Sequence, residues 1–107
     1  MITYEDFAKL EIKIGKVISA ENIPGADKLL KLIFDIGGEE RQILAGIAEM
    51  YPDPSILIGK EMPVLLNLEP RKMRGEMSNG MILATGGDEG IVLLQPEIEV
   101  SPGSTVR

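Results

Sequence analysis

Apolar and polar residues alternate in short runs along the chain, and glycine or proline separates one run from the next. A period of two is typical of a strand that buries one face. In the clearest run, residues 28–36, the apolar side chains at every second position are Leu30, Leu32, Phe34 and Ile36. The two glycines that follow predict a hairpin turn. Five or six strands of this kind are predicted, over residues 11–20, 28–36, 41–47, 60–68, 80–85 and 91–94.

The first predicted strand is interrupted at Gly15. A glycine there is typical of a bulge or sharp bend, which lets one strand serve two parts of a curved sheet. Before that strand, Thr3 and Asp6 have the spacing of a helix cap and its third helical residue, so they predict a short helix that ends before Glu11. A helical turn over residues 48–51 is stopped by the prolines that follow it.

Many short strands with little helix predict the all-β class. The broken first strand and a helical insert after the third strand favour an OB-fold, a small Greek-key barrel, with short helices. A β-sandwich has a similar strand pattern and is the main alternative. The 107 residues predict a single domain, residues 1–107, large enough to bury a core without a metal or a disulfide.

Histidine and cysteine are both absent from the chain. Their absence removes the usual general base near pH 7, the usual thiol nucleophile and the usual zinc ligands. Ser78 therefore has no histidine with which to form a nucleophile site, and the acidic residues lack the spacing of an EF-hand. We expect this chain not to be an enzyme, and to need no cofactor and no metal.

Three features bear on where the protein is located. No apolar run is long enough to span a membrane, and the acidic N-terminus lacks the basic and apolar regions of a signal peptide. No cysteine is present to form a disulfide. Together they predict a cytoplasmic protein without a membrane partner.

The formal net charge of −6 disfavours a nucleic-acid partner when it is taken as a mean over the surface. Its distribution is uneven, because residues 1–27 carry −2, residues 28–74 carry 0 and residues 75–107 carry −4. The basic residues gather in the middle of the chain, so a phosphate-bearing partner would meet a local patch.

Residues 67–81 connect two predicted strands and contain three cations within four positions, at Arg71, Lys72 and Arg74. A connector needs turn residues, but it has no structural need for three cations. Side chains held between two strands can reach an anion while the strands fix their position. The segment is therefore either an anion-binding loop or a solvated basic turn.

Two further cations lie on the predicted strands that OB-folds use to bind oligonucleotides. Lys31 projects from the polar face of the second strand, and Arg41 opens the third. They would form one cationic concavity with the basic connector. The alternative for Lys31 is a surface ion pair with Asp35 or Glu39.

Aromatic side chains, the usual stacking platforms of RNA binders, are represented by only two Phe and two Tyr. A base face would instead contact Met81 or Met73, while Ser78 and Asn79 offer adaptable hydrogen bonds. Core packing is the alternative role for the two methionines.

Several short motifs occur in a fixed order along the chain. They include NLEPRKMRG at residues 67–75 and SNGM at residues 78–81, and the others lie at residues 26–32, 41–43, 59–60, 93–96 and 102–103. Through them the whole chain resembles the tRNA-binding domain family. That family occurs as the C-terminal module of methionyl-tRNA synthetases, as free-standing tRNA-binding proteins and in the endothelial-monocyte-activating polypeptide group, and the pattern is most similar to the synthetase module.

The resemblance implies an OB-fold with a short C-terminal extension, which binds tRNA by shape, at the elbow or the outside of the L, with little reading of sequence. It implies a homodimer formed by the tail, about residues 86–107, and by the helix near residues 4–10. Asn67 would orient the basic loop. The RNA-binding candidates are Lys28, Lys31, Arg41, Asn67, Arg71, Lys72, Arg74, Ser78, Asn79 and Met81.

The expected function is therefore assistance to aminoacylation, as the C-terminal domain or a separate subunit of a methionyl-tRNA synthetase whose catalytic region acts in cis or in trans. One alternative is a protein-interaction module that dimerises a synthetase. Another is a secretion-associated chaperone of the same fold, for which residues 28–31 and 78–81 fit poorly.

Overall fold

The computed structural model describes all residues, 1–107, and the prediction of an all-β chain is confirmed. Its helical content is one short α-helix and two 3-10 turns, Ala48–Met50 and Pro54–Leu57. No helix is long and apolar enough to cross a membrane. The elements in chain order are α1 Tyr4–Ala8, β1 Ile12–Ile23, β2 Ala26–Asp35, β3 Glu40–Ala45, β4 Glu61–Leu65, β5 Arg71–Met73, β6 Glu76–Ser78, β7 Met81–Ile82, β8 Ala84–Gly87 and β9 Gly90–Leu93.

Five strands form one antiparallel sheet in the order β3-β2-β1-β4-β7. The first half of β1, Ile12 to Lys16, pairs with β4, and the second half pairs with β2. The prediction that the first strand serves two parts of the sheet is thus confirmed. The strands that carry the core lie in this single sheet and not in two stacked sheets, which argues against the β-sandwich.

The predicted cause of the break in β1 was only partly right. The pairing of β1 with β2 shifts register between Val17 and Ser19, so the bulge lies near Ile18 and not at Gly15. Gly15 is required for close packing, because a Cβ there would lie 2.8 Å from Cδ1 of Phe34. The strand therefore bends three residues later than the glycine pattern indicates.

The predicted core face of β2 is confirmed. Leu30, Leu32 and Phe34 are fully buried, and they belong to one cluster of 13 buried residues that also draws on β1, β3 and β4. A smaller cluster lies on the other face of β2 and β3, where Ile23, Ala26 and Leu44 pack together. This second cluster supports the site described below.

The capping prediction for α1 is confirmed. The N–H of Asp6 donates to Oγ1 of Thr3, and the Asp6 carboxylate accepts from the N–H of Thr3. The helix is tied to the end of β4 by Asn67, whose Oδ1 accepts from the N–H of Glu11 at 2.8 Å and whose Nδ2 donates to the carbonyl of Lys9 at 2.6 Å. Asn67 thus orients the start of β1, and these bonds do not reach the basic segment.

The last residues of the chain extend the main sheet, although the sequence predicts only a loop-rich tail. The N–H of Ile14 donates to the carbonyl of Ser104 at 2.8 Å, and the N–H of Gly103 donates to the carbonyl of Ile14 at 2.7 Å. Lys13 and Thr105 form a further antiparallel bridge. These residues cover the edge of β1 where β2 does not pair, so they are occupied within the chain.

The crossing of the tail over the β2–β3 turn provides a stability test. Gly103 has a φ of 91°, and a Cβ at this position would lie 2.5 Å from the carbonyl oxygen of Ile36. Gly25 has a φ of 79° with nothing within 4 Å of the same added atom. Both alanine variants carry backbone strain, but only Gly103→Ala adds a backbone clash. We expect Gly103→Ala to lower the free energy of unfolding by about 2 kcal/mol more than Gly25→Ala in urea denaturation. Equal losses would contradict the tail crossing.

Candidate nucleic-acid interface

The basic segment is a β-hairpin rather than a simple connector between two core strands. In the pairing of β5 with β6, Arg71 is opposite Ser78 and Lys72 is opposite Met77. Arg74 and Gly75 form the two-residue turn, with φ values of 52° and 80°. Positive φ at both central residues is typical of the tight hairpin turn that normally selects Asn-Gly or Gly-Gly.

Arg74 is the single non-glycine residue of the chain with a positive φ. A left-handed conformation of a non-glycine residue is unfavourable by roughly 1–2 kcal/mol. The fold thus holds a cation at the hairpin tip in a conformation for which asparagine or glycine would be better suited. Such strain in an exposed cation is an observation that points to function.

The hairpin packs on the outer face of β2 and β3. Met73 packs against the smaller apolar cluster that contains Leu44. Above it, Glu76 accepts a hydrogen bond from Nε2 of Gln42 at 3.1 Å and forms an ion pair with Nζ of Lys31 at 3.6 Å. Nε2 of Gln42 also donates to the carbonyl of Met77 at 3.0 Å. The hairpin is therefore held to the sheet by apolar and polar contacts together.

The base of the hairpin is joined to the edge of β3 through the SNGM motif. Ser78 is buried, and its Oγ accepts from the N–H of Leu44 at 3.0 Å and donates to the carbonyl of Gly80 at 3.1 Å. The N–H of Asn79 donates to the carbonyl of Gln42 at 2.8 Å. The five-stranded sheet is not closed by strand pairing, and these bonds connect β3 to the segment before β7.

Arg41 is half-buried and reaches the same junction. Its Nη1 donates to the carbonyls of Leu66 at 2.9 Å and of Asn79 at 3.1 Å. Its Nε lies 3.4 Å from a carboxylate oxygen of Glu39. The guanidinium therefore links Leu66, which follows β4, to Asn79, which follows β6. Its Nη1 and Nε both donate to groups of the protein itself.

The cations of the chain fall into two groups by their ion pairs. Five of them have a carboxylate partner within 4.0 Å, and these are Lys9, Lys13, Lys16, Lys31 and Arg41. Of the remaining six, four lie on the hairpin or at the start of β2 beside it, and these are Lys28, Arg71, Lys72 and Arg74. The partner of Lys31 is Glu76, not the Asp35 or Glu39 of the alternative prediction. The exposed positive charge without a partner is concentrated at the hairpin.

Three separate clefts follow the hairpin from its base to its tip. Arg41 lines a cleft of about 410 Å³ at the base, beside Asn79. Arg71 lines a slot of about 70 Å³ together with Met73, Ser78 and Met81. Lys28 and Arg74 line a cleft of about 350 Å³ between the tip and the β1–β2 turn. Seven of the ten predicted site residues thus line three separate clefts along the hairpin, whereas one shared concavity was expected; Lys31, Asn67 and Lys72 line none of the three.

Sequence reasoning did not identify Gln42 or Glu76 as residues that build the site. Gln42 lies in a strand where a polar residue is expected to be solvated, and Glu76 lies in an acidic part of the chain. The one available signal was the period-two spacing of Glu76 and Ser78, which places both on the same face of a strand.

The chain matches known proteins over its full length. Residues 12–105 match the family model described as "Putative tRNA binding domain". Methionine–tRNA ligase from Methanoregula boonei is 55% identical over all 107 residues, and the chain spans 16% of that protein's length.

Two solved structures are similar to this fold. A MetRS-related protein from Pyrococcus horikoshii has a TM-score of 0.92 at 38% identity, with coverage of 100% of this chain and 98% of the other. The chaperone CsaA from Bacillus anthracis has a TM-score of 0.87 at 31% identity, with coverage of 100% and 99%. Because the family model matches residues 12–105, the chain belongs to the tRNA-binding domain family.

Proposed function

We propose that the chain binds folded tRNA through the β5–β6 hairpin and the adjacent start of β2, by shape and charge and with little reading of sequence. The observation that carries this proposal is the concentration of unpaired cations there. Lys28, Arg71, Lys72 and Arg74 are exposed and have no carboxylate within 4.0 Å. Cations that neutralise phosphates supply most of the sequence-independent affinity for nucleic acid.

The other predicted site residues have supporting roles in this proposal. Arg41 and Ser78 hold the hairpin base through the bonds described above, and Lys31 holds Glu76. Asn79 and Met81 remain partly or fully exposed beside the hairpin, so they can contact ribose or base edges. A hydrogen-bonded frame that carries exposed cationic side chains suits recognition of a folded RNA surface, because phosphate contacts fix the position of the protein on the RNA.

An overall charge of −6 is compatible with this partner because charge acts locally. At physiological ionic strength the Debye length is about 8 Å, so distant acidic residues are largely screened at the hairpin. The acidic remainder of the surface would repel RNA and limit binding to the one basic region.

We further propose that the chain assists aminoacylation as part of, or in association with, a methionyl-tRNA synthetase in the cytoplasm. The ligase from Methanoregula boonei contains a similar segment within a protein about six times longer, as its coverage of 16% indicates. Ligase chemistry would then reside in another domain or chain. This domain would raise the local concentration of tRNA near it.

The exposed apolar residues support a homodimer with an OB-fold protomer. β8 and β9 form a two-stranded sheet that is not paired with the main one; Ile91 and Leu93 pack against the main core, while Val92 is exposed. Large exposed apolar side chains occur on α1 and along the tail at Tyr4, Leu10, Val92, Leu94 and Ile98. A second copy that covers them would make the protein sediment as a dimer. A monomer at micromolar concentration would contradict this part of the proposal.

A titration with two RNAs tests the binding mode. We expect a tRNA mixture to bind more tightly than a single-stranded oligonucleotide of equal length, because folded RNA presents a defined surface to the hairpin and a single strand does not. With about four phosphates neutralised per protomer, log K should fall against log salt with a slope of roughly −3. Equal affinity for the two RNAs would remove the shape-selective part of the proposal.

A peptide-binding function is the second candidate, and one observation favours it. A cleft of about 460 Å³ between the end of β3 and β7–β8 is mostly apolar, and its lining includes Ile47, Met81, Ile82 and Ile91. The similar structure from Bacillus anthracis is named a chaperone. If this function dominates, the chain will suppress aggregation of an unfolded model substrate and will not retain tRNA at moderate salt.

A further inference from the structure

A cleft at the start of β4 lies outside the proposed RNA-binding surface. Its volume is about 380 Å³, within the range usual for small-molecule sites. One wall belongs to β1 and β4, and the other belongs to the tail. The lining residues are Lys16, Gly59, Lys60, Glu61, Gln95, Pro96, Ile98 and Glu99.

The cleft contains a buried carboxylate that is only half satisfied. Glu61 is 7% exposed. Its Oε1 accepts a hydrogen bond from the N–H of Val100 at 2.9 Å, while its Oε2 has no hydrogen-bond partner. A buried polar atom without a partner is unfavourable, and more so when it is charged. A ligand that donates to Oε2 would recover this free energy.

The neighbouring residue supplies the opposite charge. Lys60 lines the same cleft, is exposed and has no carboxylate within 4.0 Å. The other two charges of the cleft already neutralise each other, since Nζ of Lys16 lies 3.2 Å from Oε1 of Glu99. The four charges of the lining sum to zero, and they leave one cation, Lys60, and one carboxylate oxygen, Oε2 of Glu61, without a partner. A simple anion or a simple cation would satisfy only one of the two.

We propose that this cleft binds a small zwitterion of the α-amino-acid type. The ligand ammonium donates to Oε2 of Glu61, and the ligand carboxylate accepts from Nζ of Lys60. Oε2 is now covered, so the tail must shift to admit the ligand. The contact that holds this wall by charge is the Lys16–Glu99 ion pair, whose Glu99 side chain is 76% exposed. Exposed ion pairs are weak, so this contact resists opening little. The Val100–Glu61 hydrogen bond and the backbone bonds of Gly103 and Ser104 to Ile14 also hold the tail, so the shift is confined to residues 95–99.

Three matched probes test the proposal on the full chain by ¹H–¹⁵N NMR titration. Glycine carries both charges, glycinamide lacks the carboxylate, and N-acetylglycine lacks the ammonium. We expect glycine to shift the amide signals of Gly59, Glu61 and Val100 in a saturable manner. Each single-charge probe should bind at least about tenfold more weakly, which corresponds to the loss of ~1.4 kcal/mol. Lys60→Met should weaken glycine binding by a similar factor.

The control variant is Lys13→Met, which removes a cation from β1 at a position outside the cleft. Because Lys60 is exposed, its variant is expected to fold, and the ¹⁵N spectrum itself shows whether it does. The proposal is overturned if the shifts of the amide signals do not saturate by about 50 mM glycine, a concentration at which a site with a Kd of ~10 mM would be largely occupied. It is equally overturned if glycinamide binds as tightly as glycine, or if Lys60→Met leaves binding unchanged.

Discussion

Simultaneous replacement of Arg71, Lys72 and Arg74 by glutamine is expected to weaken tRNA binding by roughly 100- to 500-fold near 0.1 M salt. Three phosphates with a slope of about 0.7–0.9 each give a total slope of about 2–3, and this slope converts into the stated range between 1 M and 0.1 M salt. The loss should be larger at lower salt and should shrink as salt rises, and the log–log slope should become less negative by about 2–3. A fluorescence-anisotropy titration at four salt concentrations measures both quantities.

The matched control replaces Lys9, Lys13 and Lys16 by glutamine. Both triple variants have a net charge of −9, that is, −6 less three cations. The control cations are ion-paired on α1 and β1, so they are expected to contribute little to RNA affinity. Similar losses in the two variants would mean that RNA responds to overall charge, and the hairpin would not be a site. Full retention of affinity by the hairpin variant would exclude the hairpin as the RNA contact.

Local alternation predicted the buried face of β2 residue by residue, because a strand has a fixed side-chain period of two. The same rule failed in β3. Alternation places Leu44 on the polar face with Gln42, yet Ile43, Leu44 and Ala45 are all buried in succession. The reason is that β3 is covered on both faces, by the main core and by the β5–β6 hairpin. No pattern within β3 itself carries information about a hairpin some thirty residues away.

The candidate cations could be picked out from the sequence, but their ion-pair partners could not. The sequence offers Asp35 or Glu39 as partners of Lys31, whereas the packed hairpin brings Glu76 to it. The direction of Arg41 likewise depends on two backbone carbonyls that lie in distant segments. Ion pairs and bonds of this kind form between elements, so they follow from tertiary packing and not from local propensity.

The backbone hydrogen bonds of the tail also could not be predicted from the local sequence. Pro102 and Gly103 predict a loop, which is correct for their local conformation. The bonds of residues 103–106 to the edge of β1 could not be predicted, because they require that β2 leaves this edge free. A tail with a loop-like sequence can therefore be an integral part of a sheet.

The Arg41→Met variant is expected to show whether Arg41 positions the hairpin or contacts phosphate. The methionine leaves the carbonyls of Leu66 and Asn79 without their donor. Hydrogen bonds to a charged group contribute about 1.5–3 kcal/mol each, so we expect the free energy of unfolding to fall by about 3 kcal/mol in urea denaturation. The tRNA affinity should fall several-fold because the hairpin base is displaced, while the salt slope stays unchanged. Arg41→Lys should rescue little, because one ammonium does not reproduce the planar fork.

Lys28→Met is the control for this experiment, because Lys28 is exposed, has no ion pair and lines the cleft at the hairpin tip. We expect the opposite pattern from it, with stability unchanged within about 0.5 kcal/mol. Its salt slope should become less negative by about 0.7–0.9, the loss of one phosphate. If Arg41→Met instead behaves like Lys28→Met, Arg41 contacts phosphate directly. The inward bonds of its guanidinium would then be a resting arrangement that RNA replaces.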